Sequence, residues 1–252
     1  MSQSTTLPVD LPALPETDFS VFGTVEQIAL SRIQKLTSTF LSRNWVTIPH
    51  VTHHDEADIT ELEILRKQLN EEKGVKITPL AFQIKALVET LKMFPLFNAS
   101  LDALGQNLIL KKYFHIGVAI DTPKGLLVAV IRDCDKKSAF ELAEELAAVS
   151  LRAKSKGLPL ADMQGGCMTI SSLGGIGGTA FTPIINAPEV AILGVTKAQW
   201  KPYRGEQEAV DWRMMLPLDL SYDHRVINGV DGAQFLVCLA KLLREPQRLL
   251  DC

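Results

Sequence analysis

Met215, Leu216, Leu218 and Leu220 form an apolar, strand-like run that ends in Tyr222-Asp223-His224-Arg225-Val226-Ile227-Asn228-Gly229, just ahead of a helical pattern from Asp231 to about Arg244. A strand that delivers the chain straight into a helix commits it to layers in which helices cover a sheet. The same turn leaves a single imidazole at the strand end. Histidine titrates near neutral pH, so His224 is well placed to move protons. On residue type alone, a half-buried and hydrogen-bonded histidine is the plainer account.

The rest of the chain alternates the same two kinds of element. Residues 1–18, with Pro8, Pro12 and Pro15 among small and polar residues, read as a linker or tail, and a globular domain spans 19–252. Ile28, Ile33, Leu36, Phe40 and Leu41 recur near helical spacing between Gln27 and Asn44, and a strand with a break at Pro49 follows from Trp45 to Asp58. A helix capped by Asp58 or Thr60 ends at Gly74, and Thr78-Pro79 opens another through Met93. Strands are expected over 107–112, 114–121 and 126–132, with Asp121-Thr122-Pro123-Lys124-Gly125 as a hairpin turn. Ser138 and Glu141 form a capping box for a helix ending at Gly157, and strands follow at 167–171, 190–195 and 215–221. The sum is an α/β fold with a large mixed sheet flanked by helices.

Composition narrows the function. With 252 residues, 46% of them hydrophobic, the chain can build a sizeable single core. A formal net charge of -3 argues against non-specific nucleic-acid binding. No apolar run approaches the roughly 18 residues that cross a bilayer, and no basic-then-apolar leader is evident. Cys134, Cys167, Cys238 and Cys252 form no C-x-x-C pair; read as free thiols, they suit a reducing compartment, with the cytoplasm as the expectation.

Several attractive patterns fail. Gly175-Ile176-Gly177-Gly178-Thr179-Ala180 matches G-x-G-x-x-A, but Pro183 and Pro188 stand where a dinucleotide-binding helix would run. There is no P-loop. His50, His53, His54 and Asp55 lack metal-ligand spacing, so no metal is expected and a solvated polar strand is the reading. His115 reads as structural.

The Asp223-to-Gly229 string resembles the His-x-x-x-Asp-Gly signature of the dihydrolipoyl acyltransferase components of 2-oxo-acid dehydrogenase complexes; chloramphenicol acetyltransferase carries a related form. Trp45 to His54, Ala57 to Leu62, His115 to Pro123 and Met168 to Val195 are similar to further family strings in the same order. The similarity runs from about Phe19 to Asp251. It implies a chloramphenicol-acetyltransferase-like fold, the mixed sheet already read from the pattern.

The resemblance also implies chemistry. Acyl transfer between thiols needs a base to make the thiolate, a donor for the oxyanion, and alignment of both substrates. His224 fits the base. The family hydroxyl falls on Ser171, with Ser172 the alternative on the other side of the strand. Asn228 stands where aspartate is commoner; it accepts a hydrogen bond but holds no charge. Asp121 either orients a side chain near the hydroxyl or caps its own Thr-Pro turn, and Phe181 and Leu193 are expected in the substrate channel.

Ser-Ser-Leu-Gly-x-Ile-Gly-Gly-Thr is similar to acetyl-transferring members, which implies acetyl transfer to coenzyme A, a substrate, at the core of a pyruvate dehydrogenase complex. No Asp-Lys-Ala string is present, so the lipoyl group would arrive on another domain or chain. The implied partners are copies of this chain, as trimers in a cubic or icosahedral core, the lipoyl domain, the decarboxylase and dihydrolipoamide dehydrogenase; nucleic acid and membrane are not among them. Phe235, Leu236, Leu239, Leu242 and Leu243 suit such self-contacts or a buried intrachain helix equally well. A non-catalytic structural core, a succinyl or branched-chain acyltransferase, and a small-molecule acyltransferase are the competing readings.

Overall fold

The computed structural model describes residues 15–250 except 75, 124 and 206–208. Of the expected tail, only residues 15–18 lie among these, and they are exposed without regular structure; Pro8, Pro12, Lys124 of the hairpin turn and Cys252 lie outside. In chain order the elements are α1 (Arg32–Thr47), β1 (His50–Asp58), α2 (Thr60–Lys73), α3 (Pro79–Met93), β2 (Ala99–Leu101), β3 (Leu108–Leu110), β4 (Ile116–Thr122), β5 (Gly125–Ile131), α4 (Ala139–Ser155), β6 (Met168–Ser172), β7 (Ala191–Val195), β8 (Gln199–Arg204), β9 (Val210–Asp223) and α5 (Gly229–Arg244).

Local chemistry sets most boundaries. Ser138 and Glu141 form the expected capping box of α4, and Gly74 ends α2 in the left-handed region at φ 64°. Helix α1 begins later than its apolar spacing predicts, because Ser31 and Gln34 form a capping box, and it runs through Trp45 to Thr47. The following strand therefore starts only after Pro49. Strand β9 is longer than expected because its first half pairs with β8, an edge strand whose Pro202 masks it in the sequence.

The seven-stranded sheet has the order β1-β9-β7-β6-β4-β5, with β8 also paired to β9; β2 and β3 form a separate ribbon. Strands β4, β6 and β7 are parallel neighbours and the remaining pairs are antiparallel, so the sheet is mixed as expected. One face carries Ile116, Ile170, Leu193, Leu218, Leu220 and Tyr222 into a core shared with α2, α3, α4 and α5. Phe235, Leu236, Leu239 and Leu243 are buried there, and Phe97 stacks on Phe235 at 4.1 Å. The apolar side of α5 is thus an intrachain core element. The opposite face is covered by the long segment between β6 and β7, where Ile185 packs on Ile48 and Ile192.

The contact of α5 with β9 generates a prediction. A Cβ on Gly232 would lie 2.7 Å from Cε1 of Tyr222, which is 0% exposed. Alanine normally favours a helix interior by about 1 kcal/mol over glycine, but overpacking against an immobile ring typically costs about 1–3 kcal/mol. Gly232→Ala is therefore expected to lower the melting temperature. An unchanged or higher Tm by calorimetry would show that the ring yields.

Candidate active site

Strand β9 ends because Asp223 turns the chain: its carbonyl accepts the N–H groups of Val226 (2.9 Å) and Ile227 (3.0 Å). His224 follows directly, exposed, with its own N–H donated to the Pro49 carbonyl at 3.0 Å. Its ring lies 6.1 Å from the Tyr222 ring. The neighbouring carboxylate is not available to it. Asp223 is 2% exposed and takes Arg225 in a two-pronged pair at 2.6–3.2 Å. Asn228 stands exposed at the N-cap of α5, its N–H donated to Asp231 Oδ2 at 3.3 Å.

The two candidate hydroxyls sit at the end of β6, after three fully buried residues. Successive strand residues face opposite sides, so Ser171 shares a face with Thr169 and Ser172 with Ile170. Ser172 lines a cavity of about 600 Å³ together with Lys76, Thr78, Val118, Asp121 and Lys154. The structure therefore brings Asp121 and Ser172 to one cavity. It does not bring either serine to His224. Ser172 pairs with Val195, and Val195 pairs with Leu218. From Leu218 to His224 along β9 is roughly 20 Å at about 3.3 Å per residue.

Phe181 and Leu193, expected together in a channel, lie on opposite faces of β7. Leu193 is 1% exposed, paired with Leu220 and packed in the helix-side core, which gives it no open surface. Phe181 covers Gly194, where a Cβ would meet the ring at 2.7 Å.

The polar face of β1 needs a further correction. It is not a merely solvated strand. His50 takes the Ile185 N–H on Nε2 (3.0 Å) and gives its Nδ1–H to the Ile48 carbonyl (2.8 Å), which fixes the neutral tautomer. His54 Nδ1 lies 2.5 Å from Oδ1 of Asp219, and Asp219 Oδ2 accepts the Phe181 N–H at 3.3 Å. The alternation His50, Thr52, His54 was the available signal; their partners are distant in sequence. His115 accepts the Asp133 N–H on Nδ1 at 3.0 Å. Among the described residues, no group of three or more His, Cys, Asp or Glu is placed to hold a metal ion.

The sequence matches the family of 2-oxoacid dehydrogenases acyltransferase (catalytic domain) over residues 22–251. The dihydrolipoyllysine-residue acetyltransferase component of pyruvate dehydrogenase complex from Cupriavidus necator is 57% identical over 240 residues, which are 94% of this chain and 43% of that protein. The chain thus spans less than half the length of that relative. The dihydrolipoamide acetyltransferase of Azotobacter vinelandii, investigated for the role of a serine, a histidine and an asparagine in its catalytic mechanism, is 51% identical with a TM-score of 0.91, covering 95% of this chain and 100% of that one. A structure of the cubic core of the pyruvate dehydrogenase multienzyme complex gives the same values. Chloramphenicol acetyltransferase, 14% identical with a TM-score of 0.54, shares the fold.

One ionisable group beside β6 was not visible in the sequence. Glu189 is 4% exposed; its Oε1 accepts Thr169 Oγ1 (2.9 Å) and Asn186 Nδ2 (3.3 Å), and its Oε2 has no partner among the described residues. Gly166 lacks a Cβ where one would sit 2.7 Å from Oε1. Burial pushes the carboxyl up to about 7, against which its hydrogen bonds and the charge of Lys111 act only in part. A raised carboxyl favours the protonated folded state, so stability is full below the unfolded value and is lost as pH climbs from about 4.5 to about 7. The loss is on the order of 3 kcal/mol at 1.36 kcal/mol per unit. Glu189→Gln is expected to flatten this part of the Tm-against-pH curve. A variant curve parallel to wild type would place the titration elsewhere.

Proposed function

The chain belongs to the 2-oxoacid dehydrogenase acyltransferase family through its catalytic domain, and we propose that it transfers an acetyl group from S-acetyl-dihydrolipoyl to coenzyme A, at the core of a pyruvate dehydrogenase complex. The observation that carries this reading is a spacing. The serine, histidine and asparagine investigated in the A. vinelandii enzyme are separated as Ser172, His224 and Asn228 are separated here, and not as Ser171 would require. Ser172 also shares its cavity with Asp121. Both points favour Ser172 over the serine expected from the motif.

In this reading the His224 imidazole takes the proton of the CoA thiol, since a free thiol near pKa 8.5 is mostly protonated at neutral pH. The thiolate attacks the thioester carbonyl, and the Ser172 hydroxyl donates to the oxyanion that forms. Collapse breaks the carbon–sulfur bond to dihydrolipoyl, whose thiolate recovers the proton from the imidazolium. Asn228 supports the turn without contributing charge. Lys76 and Lys154, at the Ser172 cavity, suit the phosphates of CoA.

The separation of His224 from Ser172 within one chain supports a site shared between copies, with His224 from one and Ser172 from the next. Exposed apolar side chains on α1 and the β8–β9 ribbon, among them Phe40, Trp45, Trp200 and Trp212, supply surface for self-association. Trimers of this kind would build a cubic core, as in the related complex, served by lipoyl domains, a decarboxylase and dihydrolipoamide dehydrogenase in the bacterial cytoplasm. No helix among the described residues is long and apolar enough to cross a membrane.

Complementation tests both chemistry and sharing. His224→Ala and Ser172→Ala are each expected to cost about a hundredfold or more in kcat, the usual scale for a general base or an oxyanion donor. Co-refolding the two variants in equal amounts should restore about a quarter of wild-type activity, the fraction of head-to-tail interfaces pairing an intact histidine with an intact serine. No recovery would refute the shared site. A damaging Ser171→Ala beside a silent Ser172→Ala would return the hydroxyl to the other face.

A further inference from the structure

His224 leaves β9 through a turn that is gripped by another element. Its N–H is donated at 3.0 Å to the carbonyl of Pro49, the residue just ahead of β1, where His50 is the register partner of Asp223. Proline fixes its own φ and pushes the residue before it into extended backbone. Ile48 accordingly sits at φ -108° and ψ 117°, where α1 ends. The direction of the Pro49 carbonyl therefore depends on the shape of this short link between α1 and β1.

Two side chains hold the link, and both reach Ile185. Asn44, buried on the last turn of α1, donates Nδ2–H to the Ile185 carbonyl at 2.9 Å, while its own carbonyl accepts the Ile48 N–H at 3.0 Å. His50 accepts the Ile185 N–H on Nε2 at 3.0 Å and donates Nδ1–H to the Ile48 carbonyl at 2.8 Å. Both backbone groups of Ile48 are thus engaged, and Ile48 and Ile185 also pack together with Ile192. The Trp45 ring lies 5.5 Å from that of His50. A neutral imidazole offers one donor and one acceptor nitrogen, which is what a bridge between a carbonyl and an N–H requires.

We infer that His50 is a positioning residue for His224: by holding the Ile48 carbonyl it directs the Pro49 carbonyl, and that carbonyl fixes where the strand-end turn presents the imidazole. The inference rests on the proposed acetyl transfer. The path is short, two successive peptide units followed by one hydrogen bond to His224. With both ring nitrogens engaged by backbone groups, His50 acts as a brace and not as a second base. A catalytic group displaced by about 1 Å can lose on the order of a hundredfold in rate, so a brace at this distance from the chemistry has a measurable effect.

The test compares wild type with His50→Ala, His50→Asn and His50→Gln as assembled protein. Asparagine keeps a donor where Nδ1 stood, and with it the bond to Ile48; glutamine reaches the place of Nε2 and keeps an acceptor for the Ile185 N–H. Amide exchange by mass spectrometry at single-residue resolution reads the His224 N–H, and kinetics with acetyl-CoA and dihydrolipoamide read the reaction. In His50→Ala, exchange at His224 is expected to rise about tenfold or more. Its kcat should fall about tenfold or more, with both KM values within about twofold of wild type. His50→Asn should recover most of both readouts, because the Ile48 bond lies on the path to Pro49. His50→Gln should restore protection at Ile185 while kcat stays near that of the alanine variant. Leu69→Ala, in the core under α2, is the control that lowers Tm without changing kcat. Unchanged exchange at His224 in His50→Ala would overturn the brace, as would an equal loss of kcat in Leu69→Ala. Loosened exchange with full kcat would overturn its role in the reaction, and equal recovery by asparagine and glutamine would overturn the path through Ile48. If His50→Ala fails to fold, the asparagine and glutamine variants decide between these outcomes. Wild-type protein without acetyl transfer would instead sink the function proposed above, and exchange at His224 would then decide the brace.

Discussion

Strand β9 is the member on which the other elements depend. Its second half pairs with β1 on one edge and β7 on the other, and its first half carries β8. Its alternate residues Leu216, Leu218, Leu220 and Tyr222 supply the helix-side core, while Asp219 and Ser221 face the opposite side. There Ser221 meets Thr52 at 2.8 Å and Asp219 meets His54. One strand thus sets the register of the sheet, the depth of the core and the place where His224 leaves it. Since a one-residue slip would turn the leucines outward and bury the polar set, the hydrophobic alternation and the polar pairs specify the same register.

The electrostatics around His224 follow from that exit. A strand-end aspartate beside a histidine invites the reading of an acid–base pair, but the planar guanidinium of Arg225 takes both oxygens of Asp223. The imidazole is left exposed, while the backbone N–H of His224 is held by the Pro49 carbonyl. In the proposed reaction that suits a base that must accept a thiol proton and return it within one turnover.

Local elements were legible in the sequence where their signals were local. The Ser138–Glu141 capping box, Gly74 and Thr78-Pro79 are each read within four residues, and each stands where expected. The failures share the opposite property. Strand β8 hides behind Pro202 and gains its identity only from pairing with β9. Ser31 carries the start of α1 past the apolar spacing that precedes it. The site divides the same way. His224 and the serine pair were visible as strings, but Asp219, which meets His54, and Thr169, which meets Glu189, lie far along the chain from them, and those contacts were not. Leu193 looked like a channel residue because its string matched, and pleat parity places it in the core.

That parity has one more consequence, at the end of β6. Ser171 and Ser172 are chemically identical and adjacent in sequence, yet they face opposite sides of the sheet: Ser171 is in register with Gly194, which the Phe181 ring covers, and Ser172 lines the cavity of Lys76 and Lys154. Substitution can delete either hydroxyl but cannot exchange them. A single-residue insertion ahead of Ser171 would turn both over at once: Ser171 would take the position of Ser172, Ser172 would pass beyond the end of β6 to that of Leu173, and the chain would differ in wiring with almost no difference in composition.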